Sequence, residues 1–201
     1  MPAPEPARVG ILGGTFDPPH VGHAVAGCAA VEQLRLDRLL LVVANDPWQK
    51  SGRRSISPAE DRYALTVALA DEIPRAEASR LELDRGGPSY SVDTAEEIIA
   101  AAGGHPPELF LVVGADLVPE LGTWRRWQDL RRLVTLAVVT RPGVTAADLP
   151  DGWRVVPVEG PQVDVSSSEV RDLLAAGRSV EGLVPDPVIR CIHRRGLYAV
   201  P

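Results

Sequence analysis

Short, almost purely apolar runs recur along this chain and alternate with longer amphipathic segments. Residues 39–44, 109–113 and 135–140 are the clearest of these runs. A continuous apolar run of this length is typical of a strand buried on both faces of a parallel sheet. Strands that alternate with helices are joined by right-handed crossovers, which place helices on both faces of the sheet. The pattern predicts an α/β fold, a Rossmann-like open parallel sheet in a single domain over residues 1–201.

The same pattern assigns the individual elements. Strands are predicted at 8–12, 39–44, 80–83, 109–113, 135–140 and 155–158, and helices at 21–36, 57–72, 91–102, 124–133, 168–176 and 185–195. Ser57 should cap the second helix, and the buried stripe of the first should be Val21, Val25, Cys28, Ala29 and Leu36. Residues 1–7 are expected to be disordered, 141–153 to form a surface loop, and 185–201 to close the domain as a helix and tail.

Composition narrows the function classes. The formal net charge is -6, which argues against a general nucleic-acid binder, although a single nucleotide needs only a few local N–H groups and cations. We expect no membrane segment, because no run of about 18 apolar residues occurs. The two cysteines lack metal or disulfide spacing, which fits a reducing cytoplasm.

The stretch Gly-Gly-Thr-Phe-Asp-Pro-Pro-His-Val-Gly-His, residues 13–23, follows the first predicted strand. Gly13 and Gly14 let the backbone approach a phosphate. His20 and His23 lie on one face at the start of the next helix, whose N-terminus adds N–H groups and partial positive charge. This combination suits a phosphoryl-transfer transition state. It matches neither the P-loop nor the dinucleotide fingerprint. A strand–helix turn with two core histidines and a metal-binding pair are the alternatives.

A second motif, Val-Ser-Ser-Ser-Glu-Val-Arg at residues 165–171, opens a short helix. Ser166 and Glu169 can form a capping box, which presents another helix N-terminus with hydroxyls. The guanidinium of Arg171 suits a phosphate. The alternative is simple capping beside a solvated arginine.

Four segments in the middle of the chain could hold a second substrate: 46–50, 86–94, 114–116 and 123–127. An exposed tryptophan is a stacking platform for a flat ring. Lys50 could meet a phosphate or carboxylate, and Asp116 could accept hydrogen bonds from a ribose. The alternatives are that Trp127 belongs to the core and that Arg125, Arg126, Arg131 and Arg132 form a solvated face.

Both motifs resemble those of the nucleotidyltransferase superfamily with a His-x-Gly-His signature. Together with 47–50, 84–94, 114–116 and Trp124 they resemble bacterial-type nicotinate mononucleotide adenylyltransferases over nearly the whole chain. The resemblance implies a nucleotidyltransferase fold and transfer of the adenylyl group of MgATP to nicotinate mononucleotide, giving deamido-NAD and pyrophosphate. The acceptor phosphate would attack the α-phosphate directly, without a covalent enzyme intermediate. Another phosphate acceptor (nicotinamide mononucleotide, phosphopantetheine or a sugar phosphate) and a non-catalytic nucleotide sensor are the alternatives.

The resemblance also implies residue roles. His20, His23 and Arg171 would be catalytic. The ATP-binding residues would be Gly13, Gly14, Thr15, Phe16, His20, His23, Gly114, Asp116, Ser166, Ser167, Ser168 and Arg171. The acceptor-binding residues would be Asp17, Lys50, Tyr90, Ser91, Thr94 and Trp124. Magnesium would arrive with ATP and largely keep its water, so we expect no dedicated carboxylate cage. The chain departs from the family's proline-led loop at Ala44-Asn45-Asp46-Pro47, where Asp46 adds negative charge beside the acceptor pocket. A homo-oligomer is left open.

Overall fold

A computed structural model describes residues 5–46, 56–140, 152–161 and 163–198. Within these ranges six strands form one parallel sheet in the order β3-β2-β1-β4-β5-β6. The strands are β1 Arg8–Gly14, β2 Arg38–Val43, β3 Ala76–Ser79, β4 Glu108–Gly114, β5 Val134–Thr140 and β6 Val155–Glu159. The helices are α1 Val21–Gln33, α2 Ala59–Ala70, α3 Leu81–Arg85, α4 Ser91–Ala101, α5 Trp127–Leu133, α6 Ser167–Ala175 and α7 Asp186–Arg195, with a 3₁₀ helix at Ala115–Thr123. The predicted fold class is confirmed. The predicted disordered start of the chain and the predicted loop at 141–153 lie mostly outside the described residues.

Two hydrophobic clusters, one on each face of the sheet, explain the continuous apolar runs. Successive residues of β2 alternate between them, with Leu39 and Leu41 in one cluster and Leu40 in the other. The first cluster includes residues of α1, α2, α6 and α7, and the second includes residues of α4, the 3₁₀ helix and α5. Because both faces of the central strands are buried, each position in the run must be apolar.

The strand order reverses between β1 and β4. From β1 the chain moves outward through β2 and β3, and then returns to place β4 on the other side of β1. Ligands of open parallel sheets bind outside the carboxyl ends of the strands at such a switch point. Both β1 and β4 end in glycine there, at Gly14 and Gly114.

Residues 80–83 do not form the predicted strand. The edge strand is β3, Ala76–Ser79, which pairs only with β2 among the described strands, and Leu81–Arg85 is helical. An edge strand buries less surface, so its sequence Ala-Glu-Ala-Ser carries little apolar signal. Arg80 bonds Asp84 and Glu60, contacts that favour the helical arrangement over an extended one.

Three helix predictions also need correction. Residues 124–133 do not form one helix. The 3₁₀ helix ends just before them at Thr123, Arg126 adopts a left-handed backbone conformation (φ 52°), and the α-helix begins at Trp127. Helix α2 begins after Pro58, without a capping bond from Ser57. Helix α1 ends at Gln33, and its buried residues are Gly27, Ala30 and Val31, whereas Val21, Val25, Cys28 and Ala29 are only partly buried. In the described part of the chain, no helix is long and apolar enough to cross a membrane.

Candidate active site

A cavity of about 770 Å³ opens at the carboxyl ends of β1 and β4. The cavity extends across the carboxyl ends of the strands, because its walls come from elements on both faces of the sheet. The α1 and α6 N-termini form one wall, and the segment 89–91 with Trp124 and Arg125 forms the other. The two predicted motifs therefore meet in one site, at the place where strand topology predicts a ligand.

The two histidines lie together at the start of α1. His20 is the N-cap residue, and its backbone N–H donates to Nδ1 of His23 at 3.2 Å. The ring centroids are 3.9 Å apart, and both residues line the cavity. Because Nδ1 of His23 accepts this bond, Nε2 must carry the proton of the neutral ring and can donate to a phosphate oxygen.

Glycine at position 22 suits this packing, because little room is left for a side chain. A Cβ at Gly22 would lie 3.0 Å from Nδ1 of His20 and 3.4 Å from Val165, which precedes α6. A larger residue would push the first imidazole away or separate α1 from α6. The glycine therefore allows both histidines and the second motif to share one wall.

The second motif is held to the first by two hydrogen bonds, and two more lie within it. Ser167 Oγ donates to the carbonyl of Pro18 at 2.9 Å, and Arg171 Nη1 donates to the carbonyl of Asp17 at 2.5 Å. Arg171 Nη2 donates to Ser168 Oγ at 2.9 Å. Ser166 caps α6 by accepting from the Glu169 N–H, which is one of the two bonds of the predicted capping box. Arg171 thus holds the turn between β1 and α1, while the three serines line the cavity.

The remaining predicted ATP-site residues also line the cavity, namely Gly13, Gly14, Thr15, Phe16, Gly114 and Asp116. A Cβ at Gly13 would meet nothing within 4 Å, so a ligand can approach the backbone closely. A Cβ at Gly114 would collide with Asp116 Oδ1 at 2.3 Å. Glycine at the end of β4 therefore allows the Asp116 carboxylate to fold back over the strand end.

Arg62 is a structural part of this site that the sequence prediction missed. It is only 2% exposed, and its guanidinium donates to the carbonyls of Thr15, Ala44 and Ser57 at 3.0, 2.6 and 2.9 Å. A fourth bond reaches the carbonyl of Asn45 at 3.3 Å. One side chain therefore ties the loops after β1 and β2 to the start of α2. Its only sequence signal is a charge on the buried face of α2.

Asp17 and Tyr198 form a second contact that sequence reasoning did not find. Asp17 is 1% exposed and does not line the cavity; its Oδ1 accepts from the Tyr198 hydroxyl at 2.8 Å. Burial and the nearby Asp17 charge raise the pKa of Tyr198 above its ordinary value. These residues are 181 positions apart, which explains why no local pattern revealed the pair.

Ser89, Tyr90, Ser91 and Trp124 line the opposite wall. The departure at Asn45-Asp46 supports this wall: the Asn45 N–H donates to Ser89 Oγ at 2.8 Å, and the Ser89 N–H donates to the Asp46 carbonyl at 3.0 Å. The Asp46 carbonyl thus holds Ser89, the residue that precedes Tyr90. The predicted residue Lys50, with the rest of 47–50, lies outside the described residues.

Thr94 does not reach the cavity. It is 1% exposed, and its hydroxyl donates to Glu82 Oε1 at 2.7 Å and accepts from Arg85 Nη2 at 3.0 Å. Both its hydrogen-bonding directions are occupied by neighbouring side chains. Thr94 instead holds Glu82, a residue that does line the cavity.

The family model described as cytidylyltransferase-like matches residues 11–173, so the chain belongs to the cytidylyltransferase-like family. The matched range contains both motifs and every strand of the sheet except the first three residues of β1. The fold, the switch-point cavity and the histidine pair are thus features of a nucleotidyltransferase.

Similar proteins from bacteria carry the name probable nicotinate-nucleotide adenylyltransferase. The relative from Streptomyces coelicolor is 44% identical over 189 residues, covering 93% of this chain and 98% of its own. One from Thermus thermophilus is 44% identical over 191 residues, covering 95% and 99%. That from Acidothermus cellulolyticus is 40% identical over 198 residues, covering 96% and 94%.

Solved structures confirm the fold. The nicotinic acid mononucleotide adenylyltransferase of Plasmodium falciparum complexed with NaAD superposes with a TM-score of 0.77. Its sequence identity is 15%, and the match covers 96% of this chain and 97% of the other. The same protein complexed with APC gives a TM-score of 0.75 with the same coverage.

Proposed function

We propose that this chain transfers the adenylyl group of MgATP to nicotinate mononucleotide, giving deamido-NAD and pyrophosphate. The observation that carries the proposal is the two-walled cavity. The histidine pair and the serines of α6 form one wall, and Tyr90 with Trp124 forms the other. An enzyme that transfers the adenylyl group of a nucleoside triphosphate to an aromatic mononucleotide needs one wall that binds phosphates and another that binds an aromatic ring. The relatives' names support the choice of acceptor.

In the proposed reaction, an oxygen of the acceptor phosphate attacks the α-phosphorus of ATP. The bond from that phosphorus to the β-bridging oxygen breaks, and pyrophosphate leaves with its electrons. No group of the enzyme needs to become covalently bound. His20, His23 and the N–H groups at the start of α6 would donate hydrogen bonds to the phosphate oxygens, where charge accumulates in the transition state.

The turn between β1 and α1 must be rigid for this role. Arg62 holds its Thr15 carbonyl, Arg171 holds its Asp17 carbonyl, and Tyr198 holds the Asp17 side chain. Asp17 and Arg171 would therefore act by positioning the histidines, in addition to any contact of the guanidinium with ATP. Preorganised donors are effective because they do not reorganise during the reaction.

Magnesium would enter as part of the MgATP substrate. Among the described residues no group of three or more His, Cys, Asp or Glu side chains could hold a metal ion by itself. The Asp116 carboxylate in the cavity wall fits an ion that is bound mainly by phosphates and water. We infer that the reaction takes place in the cytoplasm, where ATP is abundant and free cysteines remain reduced.

The test is a pyrophosphate-release assay with MgATP and four acceptors: nicotinate mononucleotide, nicotinamide mononucleotide, phosphopantetheine and a sugar phosphate. We expect the highest kcat/KM with nicotinate mononucleotide. Turnover only with a non-pyridine phosphate would keep the chemistry and overturn the acceptor. ATP binding without turnover on any acceptor would favour a nucleotide sensor.

A further inference from the structure

We propose that Tyr198 is a positioning residue for the proposed reaction, which holds the histidine pair in place through the Asp17 carboxylate. The inference rests on the proposed function and gives a part in it to the closing segment, residues 180–198, which lies beyond the residues that the family model matches. Neither Asp17 nor Tyr198 lines the cavity. Any effect of Tyr198 on the reaction therefore passes through the turn that carries His20.

The closing segment is bonded to this turn on both sides of His20. Ahead of the histidine, the Tyr198 hydroxyl donates to Asp17 Oδ1 at 2.8 Å. Behind it, the N–H of Val21, the first residue of α1, donates to the Leu183 carbonyl at 2.9 Å. His20 is thus fixed between two contacts with one segment, and only the first of them is made by side chains.

The backbone between Asp17 and His20 is stiff. Its two residues are Pro18 and Pro19, whose rings fix φ. A displacement of Asp17 is therefore passed on to His20 and is not absorbed between them. His20 passes it on in turn, because its backbone N–H donates to Nδ1 of His23 at 3.2 Å. One bond to the Asp17 carboxylate thus bears on both imidazoles.

Strained backbone on both sides of this bond points to a role beyond stability. Two of the five described residues other than glycine that have a positive φ flank it: Tyr198 at 64°, and Phe16, the neighbour of Asp17, at 51°. Residues with side chains rarely adopt this left-handed region and stay there only where the surrounding contacts impose it. Phe16 is buried, and its ring centroid lies 5.0 Å from that of His23. The left-handed residue before Asp17 therefore also sets its own ring against the second histidine.

The closing segment is a firm anchor for the bond. Helix α7 packs three buried apolar residues into the first hydrophobic cluster, and Arg195 pairs with Asp61 of α2. Burial and the Asp17 charge raise the pKa of Tyr198, so its hydroxyl stays protonated and remains a donor at neutral pH.

Loss of the bond should slow the chemical step more than it weakens binding. Hydrogen bonds from the histidines to phosphate oxygens count most in the transition state, where charge accumulates. A small misplacement of groups around the reacting atoms costs up to about a hundredfold in rate. We therefore expect Y198F, which removes only the hydroxyl, to lower kcat about tenfold, while the KM values for ATP and the acceptor change less than about twofold.

The experiment compares kcat and both KM values of wild type, Y198F and Y63F by pyrophosphate release, well below the Tm of each protein. Tyr63 is the matched control, because it packs against the same hydrophobic cluster, contacts the Arg80 guanidinium through its ring at 4.9 Å, and does not line the cavity. Y63F should keep kcat within about twofold of wild type. The acceptor used is whichever phosphate the wild type turns over, so the acceptor assignment can fail while Tyr198 is still tested.

A double-mutant cycle shows whether Tyr198 acts through the histidines. In an H20A background, Y198F should lower kcat by only about threefold or less, because one of the two groups that it positions is gone. Independent effects multiply, so an equal loss in the wild-type and H20A backgrounds would overturn the proposal.

Proton NMR of the histidine rings tests the positioning without turnover. The chain has four histidines, and the exposed His105 and His193 serve as references for the pair in the site. Y198F should shift the Cε1–H resonances of His20 and His23 and leave the references in place. Unchanged resonances of the pair would overturn the proposal, and so would shifts of all four, which indicate a general loosening of the fold.

The kinetic outcomes separate this proposal from the proposed function. An unchanged kcat in Y198F beside an active wild type would overturn the role of Tyr198 and leave the proposed function standing. A wild type that turns over no phosphate acceptor would overturn the proposed function, and the role of Tyr198 in it.

Discussion

Replacing Arg62 by methionine should be among the most damaging single changes outside the reacting groups. The side chain is 2% exposed and gives four hydrogen bonds to carbonyls of residues 15, 44, 45 and 57. Methionine keeps the apolar stem of the side chain but lacks the guanidinium, so the change removes all four hydrogen bonds and leaves the space of the guanidinium unfilled. The carbonyls of Thr15 and Ala44 would be left buried without this donor.

The magnitude follows from the cost of such groups. A buried group that loses its partner costs about 1–3 kcal/mol. With two buried carbonyls orphaned and two partly exposed ones able to recruit water, we expect R62M to lower the free energy of unfolding by about 3–5 kcal/mol. For a domain of this size, about 2–4 °C is lost per kcal/mol, so Tm should fall by roughly 6–20 °C.

Urea denaturation at fixed pH measures the effect, with R75M as the control. Arg75 also donates to a backbone carbonyl, that of Leu36 at 2.8 Å, but makes a single such bond. R75M should therefore lose about 1 kcal/mol. If R62M and R75M have the same stability within about 1 kcal/mol, the four bonds of Arg62 do not hold the loops together as argued. Loss of ATP affinity in R62M at temperatures where it remains folded would extend the role to the site.

Three further predictions concern the site directly. H20A and H23A should each lower kcat by about 10²–10³ with the fold intact, since each removes a donor to the reacting phosphates; normal kcat by pyrophosphate release would remove them from the mechanism. W124A should raise the acceptor KM more than the ATP KM, because Trp124 lies in the proposed acceptor wall with Tyr90; equal KM changes would make Trp124 structural. Y198F loses the bond to Asp17 and should destabilise by about 0.5–1.5 kcal/mol. The pKa of Tyr198 is raised in the folded state, so the contribution of its neutral hydroxyl to the free energy of unfolding is complete below pH of about 10 and is lost as pH rises further. The difference in urea midpoint between wild type and Y198F should therefore shrink as the pH rises above that value. A difference that stays constant would contradict this.

The reactive half of the site was predictable from short segments. Residues 13–23 and 165–171 each combine a strand end or loop with a helix N-terminus, and backbone geometry alone places their donors. The helix cap at Ser166 was predicted for the same reason. The structure added the reason for Gly22, since a Cβ at this position would lie close to both the His20 ring and Val165 of the second motif.

Elements with weak local signals were misplaced. The edge strand β3 is Ala-Glu-Ala-Ser, which has no apolar pattern, and the left-handed turn at Arg126 is not a feature that arginine specifies. Thr94 was assigned to the acceptor site by resemblance, yet its contacts with Glu82 and Arg85 place it behind the wall. Such assignments depend on which side of a helix packs inward, which the motif does not state.

By itself, the sequence determined the parallel sheet and the positions of the phosphate-facing motifs. Buried strands must be apolar along their whole length, and helix N-termini present their N–H groups whatever surrounds them. Only the tertiary structure decided that Arg62, Arg171 and Tyr198 converge on the turn before α1, and that Arg125 faces the cavity while Arg126 does not. These outcomes depend on contacts between residues distant in sequence, and on one backbone turn, and no local pattern encodes either.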